Sequence, residues 1–234
     1  MKITGRKRLN RAAIELRAEQ LLRLFTTDFL EYVQPTPLLD LTAFLTSKHS
    51  IIFDFTCTLG FSDTGQRIIG AFNPRKRVIL IDASLQADEP KFNFTLAHEL
   101  GHLALHRNVS IEYEEKDNLD KTDETVLEEQ QEEDILKEEV DWLEWQANAY
   151  GSALLMPKII FESALVATQQ SMGISRVGRI LVDSQPVNLV DFYSIISKLA
   201  TFFHVSQTAA EYRLRKLDLV DDQRRSRSIR DILR

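Results

Sequence analysis

The chain has 234 residues, of which 44% are apolar and 27% are charged, so it is long enough to bury a core in one medium domain, or in a domain with a smaller appendage. Its net charge of −6 excludes a general basic signature for nucleic acid. With one cysteine, Cys57, and neither a signal peptide nor an apolar run long enough to cross a membrane, it is predicted to be cytoplasmic.

The first part of the chain predicts two helices, a sheet and a longer helix. Apolar residues at helical spacing predict a helix over 11–33, ended by Pro35, and Asp40 is placed to cap a short helix over 40–47. Three β-branched or aromatic runs between turn-like residues predict the strands of a small, mostly antiparallel sheet: 51–55, 68–72 and 78–81. The longer helix is predicted over 91–106.

The segment 112–141 has a different composition. It holds 15 Asp or Glu residues against three lysines, with few apolar residues in its first half. Such a charge run predicts a solvated or partly disordered insertion. A helix is predicted over 135–155, and Pro157 ends it because proline disfavours helical backbone in the residue before it.

The helix over 91–106 carries the pattern His-Glu-x-x-His. His98 and His102 are four residues apart, so their imidazoles lie on one helix face and are spaced to bind a single zinc ion. Glu99 lies about 100° around the helix, where it can take a proton from a water that the metal has acidified. The pattern also occurs by chance. Gly101, which costs a helix about 1 kcal/mol relative to alanine, indicates that another backbone packs closely there.

A third ligand has to come from another segment, because the extended spacing His-x-x-x-His-x-x-Gly-x-x-His is absent. Glu144 is the best candidate, since on a helix it shares a face with the small residues Ala147 and Gly151, which allows close packing against the motif helix. Asn148, one turn later, is placed to accept a hydrogen bond from the far nitrogen of His98. The acidic residues that precede this helix are interpreted as a solvated charge run.

Two side chains near the motif are open to more than one interpretation. His106 is either a group behind the metal ligands or an oxyanion stabiliser, or it is a cation that caps the C-terminal end of the helix. Tyr150 lies off the Glu144 face, so it is interpreted as a partly buried core residue rather than an oxyanion donor.

Two imidazoles and a carboxylate suit zinc well, and manganese is not excluded.

These segments together resemble the ImmA/IrrE family of metallopeptidases. The resemblance is carried by five stretches: 78–82, 94–106, 144–148, 154–157 and 205–217. It implies a zincin-type fold in which His98, His102 and Glu144 hold zinc. It also implies that Glu99 is the catalytic base and that the substrate is a helix-turn-helix repressor, whose cleavage switches on mobile-element or stress genes. The acidic stretch is longer than the family usually carries, which bears on the substrate rather than on the metal site.

The sequence therefore predicts an α+β fold with two parts. A zincin-like metallopeptidase domain over 1–160 has a small antiparallel-rich sheet, the HExxH helix and the acidic insertion 112–141. A helical C-terminal domain follows over 161–234, with one helix over 189–203 and another that starts after a cap at Ser206.

The end of the chain raises the question of DNA binding. Residues 205–214 resemble the second helix of a helix-turn-helix, which would need a basic face to bind DNA. Asp218, Asp221 and Asp222 dilute the basic charge nearby, so a packing or partner-docking role is preferred. The charged tail 221–234 is predicted to fray.

Three functions are consistent with these patterns. The first is an intracellular zinc endopeptidase that binds an extended substrate along an edge strand over 78–81. The second is a metal-binding regulatory module that sequesters a repressor or toxin-like partner without proteolysis. The third is a DNA-binding regulator, which a steep salt dependence of DNA affinity would reveal. The first is preferred because Glu99 supplies the base that hydrolysis needs.

Overall fold

The predicted α+β architecture is confirmed in the part of the chain that the structure describes. A computed structural model describes six stretches: residues 3–4, 8–62, 65–106, 110–111, 120–123 and 139–225. The chain divides into two compact units. Unit 1 combines Met1–Tyr32 with Thr36–Pro157, and unit 2 combines Val33–Pro35 with Lys158–Arg234.

The helices of unit 1 follow the predictions with shifted ends. Those among the described residues are α1 (Arg11–Phe25), α2 (Leu38–His49), α3 (Glu89–His106) and α4 (Glu139–Leu155). α1 ends well before residue 33, because Thr26 is extended with φ −147°. Phe29 lies in a separate 3-10 turn and is buried. The helix was predicted too long because Phe29 continues the helical spacing of apolar residues. α2 begins before Asp40, so this residue lies in the first turn rather than at the cap, where the helix dipole still favours its charge.

The strands of unit 1 form a small mixed sheet and a separate pair. They are β1 (Ile3–Thr4), β2 (Ile52–Asp54), β3 (Ile68–Asn73), β4 (Val78–Ile81), β5 (Ser110–Ile111) and β6 (Asp120–Asp123). β1 and β5 pair with each other, and the other four are ordered β2-β4-β3-β6. β3 is antiparallel to both β4 and β6, whereas β2 runs parallel to β4. β3 is buried along its whole length and is one of the two inner strands of the described sheet.

The expectation that residues 78–81 offer a free edge to a substrate is wrong. Val78 is paired with Ile52 of β2 on one side and with Asn73 of β3 on the other. β4 is therefore an inner strand, and the edge strands of the described sheet are β2 and β6. The prediction failed because a parallel crossover places β2 beyond β4, and the order of strands along the chain does not specify their order in a sheet.

The acidic segment 112–141 lies outside the described residues except at two places. One is β6, whose backbone pairs with β3 from Asp120 opposite Phe72 to Asp123 opposite Ile68. The expectation of disorder is therefore wrong for this strand, because backbone hydrogen bonds to a neighbouring strand do not depend on side-chain polarity, whereas its solvation stays a prediction. The other is the start of α4, and the helix start predicted at residue 135 lies outside the described residues.

Unit 2 contains helices and a short parallel strand pair. The described elements are α5 (Lys158–Ser171), β7 (Ile180–Val182), α6 (Pro186–Phe203), α7 (Gln207–Lys216) and β8 (Val220–Asp222). The predicted cap of α7 is confirmed, since the Ala209 N–H donates to Ser206 Oγ at 3.1 Å. The prediction that the tail frays is wrong for Asp221 and Asp222, which pair with β7, and residues 226–234 lie outside the described part.

Helix length and composition were also compared with those of membrane spans. No single helix among the described residues is long and apolar enough to cross a membrane. One pair of consecutive helices, Trp142–Leu155 and Lys158–Ser171, reaches that length and composition only when joined across a bend. Apolar side chains of both helices are buried, including Leu143, Ala153 and Phe161.

A turn built around Asp82 joins the sheet to α3. The carboxylate of this buried residue accepts hydrogen bonds from the Leu59 N–H at 2.8 Å, and from the Ser84 N–H at 3.0 Å and hydroxyl at 2.6 Å. Arg67 Nη2 lies 3.0 Å from the same carboxylate. Burial by itself would raise the pKa of Asp82, but these hydrogen bonds and the guanidinium outweigh it and hold that pKa below its ordinary value. The turn therefore fixes where the chain leaves β4 to enter α3.

Replacing Asp82 by alanine is expected to lower the free energy of unfolding by about 1.5–3 kcal/mol, because the Leu59 and Ser84 amides lose a charged acceptor. Since folding lowers the Asp82 pKa, its stabilisation is fully present above roughly pH 4 and is lost as the pH falls through the folded pKa. Urea denaturation at several pH values measures both effects. Asp28, which is exposed and makes no capping hydrogen bond, is the control, and equal losses from both alanine variants would contradict this account.

Candidate metal centre

The two helices that carry the predicted ligands pack backbone against backbone. A Cβ atom at Gly101 of α3 would lie 2.9 Å from the Ala147 Cα of α4. A Cβ atom at Gly151 of α4 would lie 3.1 Å from the backbone nitrogen of His98. The prediction that another backbone packs closely against Gly101 is confirmed. This close approach brings Glu144, about one turn before Ala147, to the histidine face of α3.

Three side chains converge where α3 and α4 meet. His98 Nε2 lies 2.9 Å from His102 Nε2. Glu144 places Oε2 3.2 Å from His98 Nε2 and Oε1 3.6 Å from His102 Nε2. One potential ligand atom of each residue lies within 4.8 Å of the others. Both imidazoles are buried, whereas the Glu144 side chain as a whole is 18% exposed.

Hydrogen bonds behind the two histidines orient their rings. Asn148 Oδ1 lies 2.7 Å from His98 Nδ1. Because this oxygen can only accept, His98 carries its proton on Nδ1 and keeps the lone pair of Nε2 for the cluster. His102 Nδ1 lies 3.1 Å from His106 Nδ1, and donation from His102 to His106 leaves the lone pair of His102 Nε2 facing the cluster in the same way. The predicted role of Asn148 stays a prediction, now with the contact that it requires.

His106, the last residue of α3, lies behind His102 and not at the surface. Burial, together with the nearby charge of His102, lowers the pKa of His106 to about 3. A neutral imidazole does not supply the positive charge on which a C-terminal cap would depend. The structure therefore favours a position supporting His102, and that role of His106 stays a prediction.

The chemistry of the three converging groups fits a divalent metal ion. Burial by itself would raise the pKa of Glu144, but the neighbouring His102 and His98 outweigh it and hold that pKa below its ordinary range, so the carboxylate is ionised. Two imidazole lone pairs and a carboxylate so close together repel one another unless a cation lies between them. Two histidines and one carboxylate form the protein ligand set of zinc sites that keep a fourth position open for water or substrate.

Glu99 lies against β3, an inner strand of the sheet. It is fully buried, and a Cβ atom at Gly70 of β3 would collide with Glu99 Oε1 and lie 2.8 Å from Thr95 Cγ2. Any larger residue at position 70 would therefore displace the carboxyl group. Gly70 was not among the predicted site residues, although a lone glycine inside the apolar run 68–72 is a signal of close approach in a strand.

The chain as a whole was then compared with known proteins. The model of one family, described as the IrrE N-terminal-like domain (Peptidase_M78), matches residues 56–215, about two thirds of the chain. This chain belongs to the IrrE N-terminal-like domain family. No curated protein matches it. The matched range includes His98, His102 and Glu144, so the resemblance to the ImmA/IrrE family is confirmed and family membership supports a metallopeptidase.

Helix α4 of this IrrE N-terminal-like domain carries three aromatic residues: Trp142, Trp145 and Tyr150. Tyr150 on α4 is only 1% exposed, so it is a core residue, more deeply buried than predicted. Its burial raises the pKa of its hydroxyl. Trp142 and Trp145 contact each other edge to face, with ring centroids 5.0 Å apart, which agrees with packing roles.

Replacing Gly101 by alanine is expected to lower the free energy of unfolding by about 1–2 kcal/mol, because the added Cβ atom presses on the Ala147 backbone. Metal affinity should fall as well, since pushing α4 away from α3 displaces Glu144. Thermal denaturation and metal titration of the variant measure the two effects. A variant that gains about 1 kcal/mol, the helix-propensity benefit of alanine over glycine alone, would contradict the close packing.

Proposed function

We propose that this chain is a zinc-dependent endopeptidase that acts in the cytoplasm. The proposal is carried by the convergence of His98, His102 and Glu144 in a chain that belongs to a peptidase family. The buried Glu99 follows directly on His98, and it supplies the one further group that hydrolysis needs. Zinc is preferred to manganese because two of the three donors are imidazole nitrogens.

Each residue of the centre has a separate task in the proposed reaction. Asn148 accepts a hydrogen bond from His98 Nδ1–H and so leaves the lone pair of His98 Nε2 available to a metal ion. His98, His102 and Glu144 would hold a zinc ion, which when bound would supply Lewis acidity for a water molecule and for the scissile carbonyl. Glu99 accepts the proton of the attacking water and delivers it to the leaving amine. Its contact with the Gly70 backbone holds the carboxyl group in place while the proton moves.

The proposed substrate is a helix-turn-helix repressor, and its cleavage would switch on mobile-element or stress genes. The ImmA/IrrE resemblance supports this assignment. An extended segment of the substrate would add, by backbone hydrogen bonds, to the side of β6 that pairs with no described strand. β6 is the better candidate of the two edge strands because it is the neighbour of β3, the strand that Glu99 contacts.

The proposal is tested by incubating the purified chain with a helix-turn-helix repressor encoded beside its gene. We expect discrete fragments in mass spectra, none after treatment with a strong chelator, and their return when zinc is added back. A repressor that binds tightly but stays intact with zinc present would support the sequestering module instead. Salt-dependent binding to a specific duplex, with no cleavage, would support the DNA-binding regulator.

A further inference from the structure

Unit 1 contains a cavity of about 460 Å³ on the side of α3 that faces away from His98 and His102. Its lining comes from four helices, from Ile51 and from the end of β3 with the turn that follows it. From α3 it takes Leu100, Leu103 and Ala104, which lie between and beyond the metal-facing positions. The cavity is therefore separate from the candidate metal centre but shares a helix with it.

The inner wall of this cavity is apolar. It is formed by side chains that are at most 5% exposed: Leu45, Ile51, Phe72 and Leu100. Leu21 of α1 and Pro74 continue this surface towards the opening. The volume falls within the range of about 300–1,000 Å³ that is usual for small-molecule sites. Binding of a hydrocarbon chain against this wall is favourable, because apolar surface on both the chain and the wall is removed from water.

Five side chains of the lining are polar: Arg17, Gln20, His49, Arg77 and Tyr150. Arg17 of α1 is exposed, lines the cavity and makes no ion pair with any described residue. Tyr150 of α4 also lines the cavity, is only 1% exposed, and its hydroxyl has no hydrogen-bond partner among the described residues. The two side chains are close enough for the positive charge of Arg17 to oppose the rise in the Tyr150 pKa. A second cation, Arg77, donates to the His49 carbonyl at the opening and is therefore already engaged.

We propose that this cavity binds an organic acid with an apolar body, such as a medium-chain carboxylate. The carboxylate would pair with the Arg17 guanidinium and accept a hydrogen bond from the Tyr150 hydroxyl. The hydrocarbon would lie against the apolar wall. A single available guanidinium and a single hydroxyl match a singly charged head group better than a doubly charged phosphate.

The position of the cavity gives a bound acid a route to the candidate metal centre. Leu100 lies between His98 and His102 on α3, and Tyr150 follows Asn148 by two residues on α4. An acid in the cavity would thus contact both helices that carry the predicted ligands. The binding proposal itself does not depend on proteolysis, because it rests on the cavity and on the side chains of Arg17 and Tyr150.

The test is calorimetric titration of the full chain with decanoate as the probe and decanol as its uncharged match. We expect saturable binding of one decanoate per chain, and at least about tenfold weaker binding of decanol, because the alcohol lacks the charge that pairs with Arg17. The variant R17Q, at an exposed position, should bind decanoate at least about tenfold more weakly with an unchanged circular dichroism spectrum. The matched control is R23Q, on the same helix and exposed but outside the lining, and it should bind like wild type.

A second variant addresses the cavity rather than the charge. Leu21 of α1 is half-buried and lines the cavity, so the larger side chain of Leu21→Trp would fill part of the space. This variant should abolish saturable binding while the protein stays folded. The proposal is overturned if wild type shows no saturable binding of decanoate, if decanol binds as tightly, or if R17Q binds like R23Q. Binding that survives in the folded Leu21→Trp variant would also overturn it, because the acid would then lie elsewhere.

Discussion

Replacing Glu99 by glutamine is expected to reduce peptide hydrolysis by about a hundredfold to ten thousandfold while leaving the metal content unchanged. Glutamine has nearly the same shape as glutamate, so it can keep the buried position against Gly70. It cannot accept the proton of the attacking water, and the reaction loses its base. Cleavage rates by mass spectrometry and metal content by elemental analysis separate the two effects.

The matched control for Glu99→Gln is Glu31→Gln, which makes the same chemical change at an exposed position in a 3-10 turn. It should cleave at the wild-type rate. If Glu99→Gln also cleaves at that rate, Glu99 is not the base. If the variant instead loses its metal, the carboxyl group belongs to the ligand set rather than to proton transfer, and the division of tasks proposed here is wrong.

Replacing Glu144 by alanine is expected to weaken zinc binding by more than about a hundredfold. Loss of a direct ligand should exceed the roughly tenfold to hundredfold cost of losing a residue that orients a ligand. Asn148→Ala, which removes only the partner of His98 Nδ1, should fall within that smaller range. Competition with a chromophoric zinc chelator measures the affinities of wild type and both variants on one scale.

The relative loss of zinc affinity in Glu144→Ala and Asn148→Ala distinguishes a direct ligand from a residue that orients one. A larger loss from Asn148→Ala than from Glu144→Ala would reverse the assignment of ligand and orienting residue. Glu31→Ala serves as the control for removing one carboxylate from the chain, and it should bind zinc like wild type. An unchanged affinity in Glu144→Ala would mean that the convergence of Glu144 on the two imidazoles has no role in holding metal.

The candidate centre could be predicted because its parts depend on helical spacing. His98 and His102 share a face by virtue of their four-residue separation, and the small residues around Glu144 indicate which face packs against α3. The backbone contact between Gly101 and Ala147 then follows from the absence of large side chains. The cap at Ser206 was predictable for the same reason, because it concerns residues within one turn.

The features that the sequence did not predict depend on contacts between distant segments. β4 is an inner strand only because β2 returns to its far side, and β6 joins the sheet from within a strongly acidic segment. The pairing of β7 with β8 likewise joins residues about forty positions apart, and side-chain patterns carry little information on such partners. The contact of Glu99 with Gly70 belongs to the same class, since a helix and a strand meet there.

The most direct test of the metal centre is the X-ray absorption spectrum of the zinc-loaded chain at the zinc edge. The account predicts two imidazole nitrogens, further ligands that are all oxygen, and no sulfur. The His98→Ala variant should lose one imidazole from that spectrum or fail to retain zinc. A sulfur ligand from Cys57 or from a methionine, or two imidazoles that persist in His98→Ala, would contradict the assignment of His98, His102 and Glu144 as the metal site.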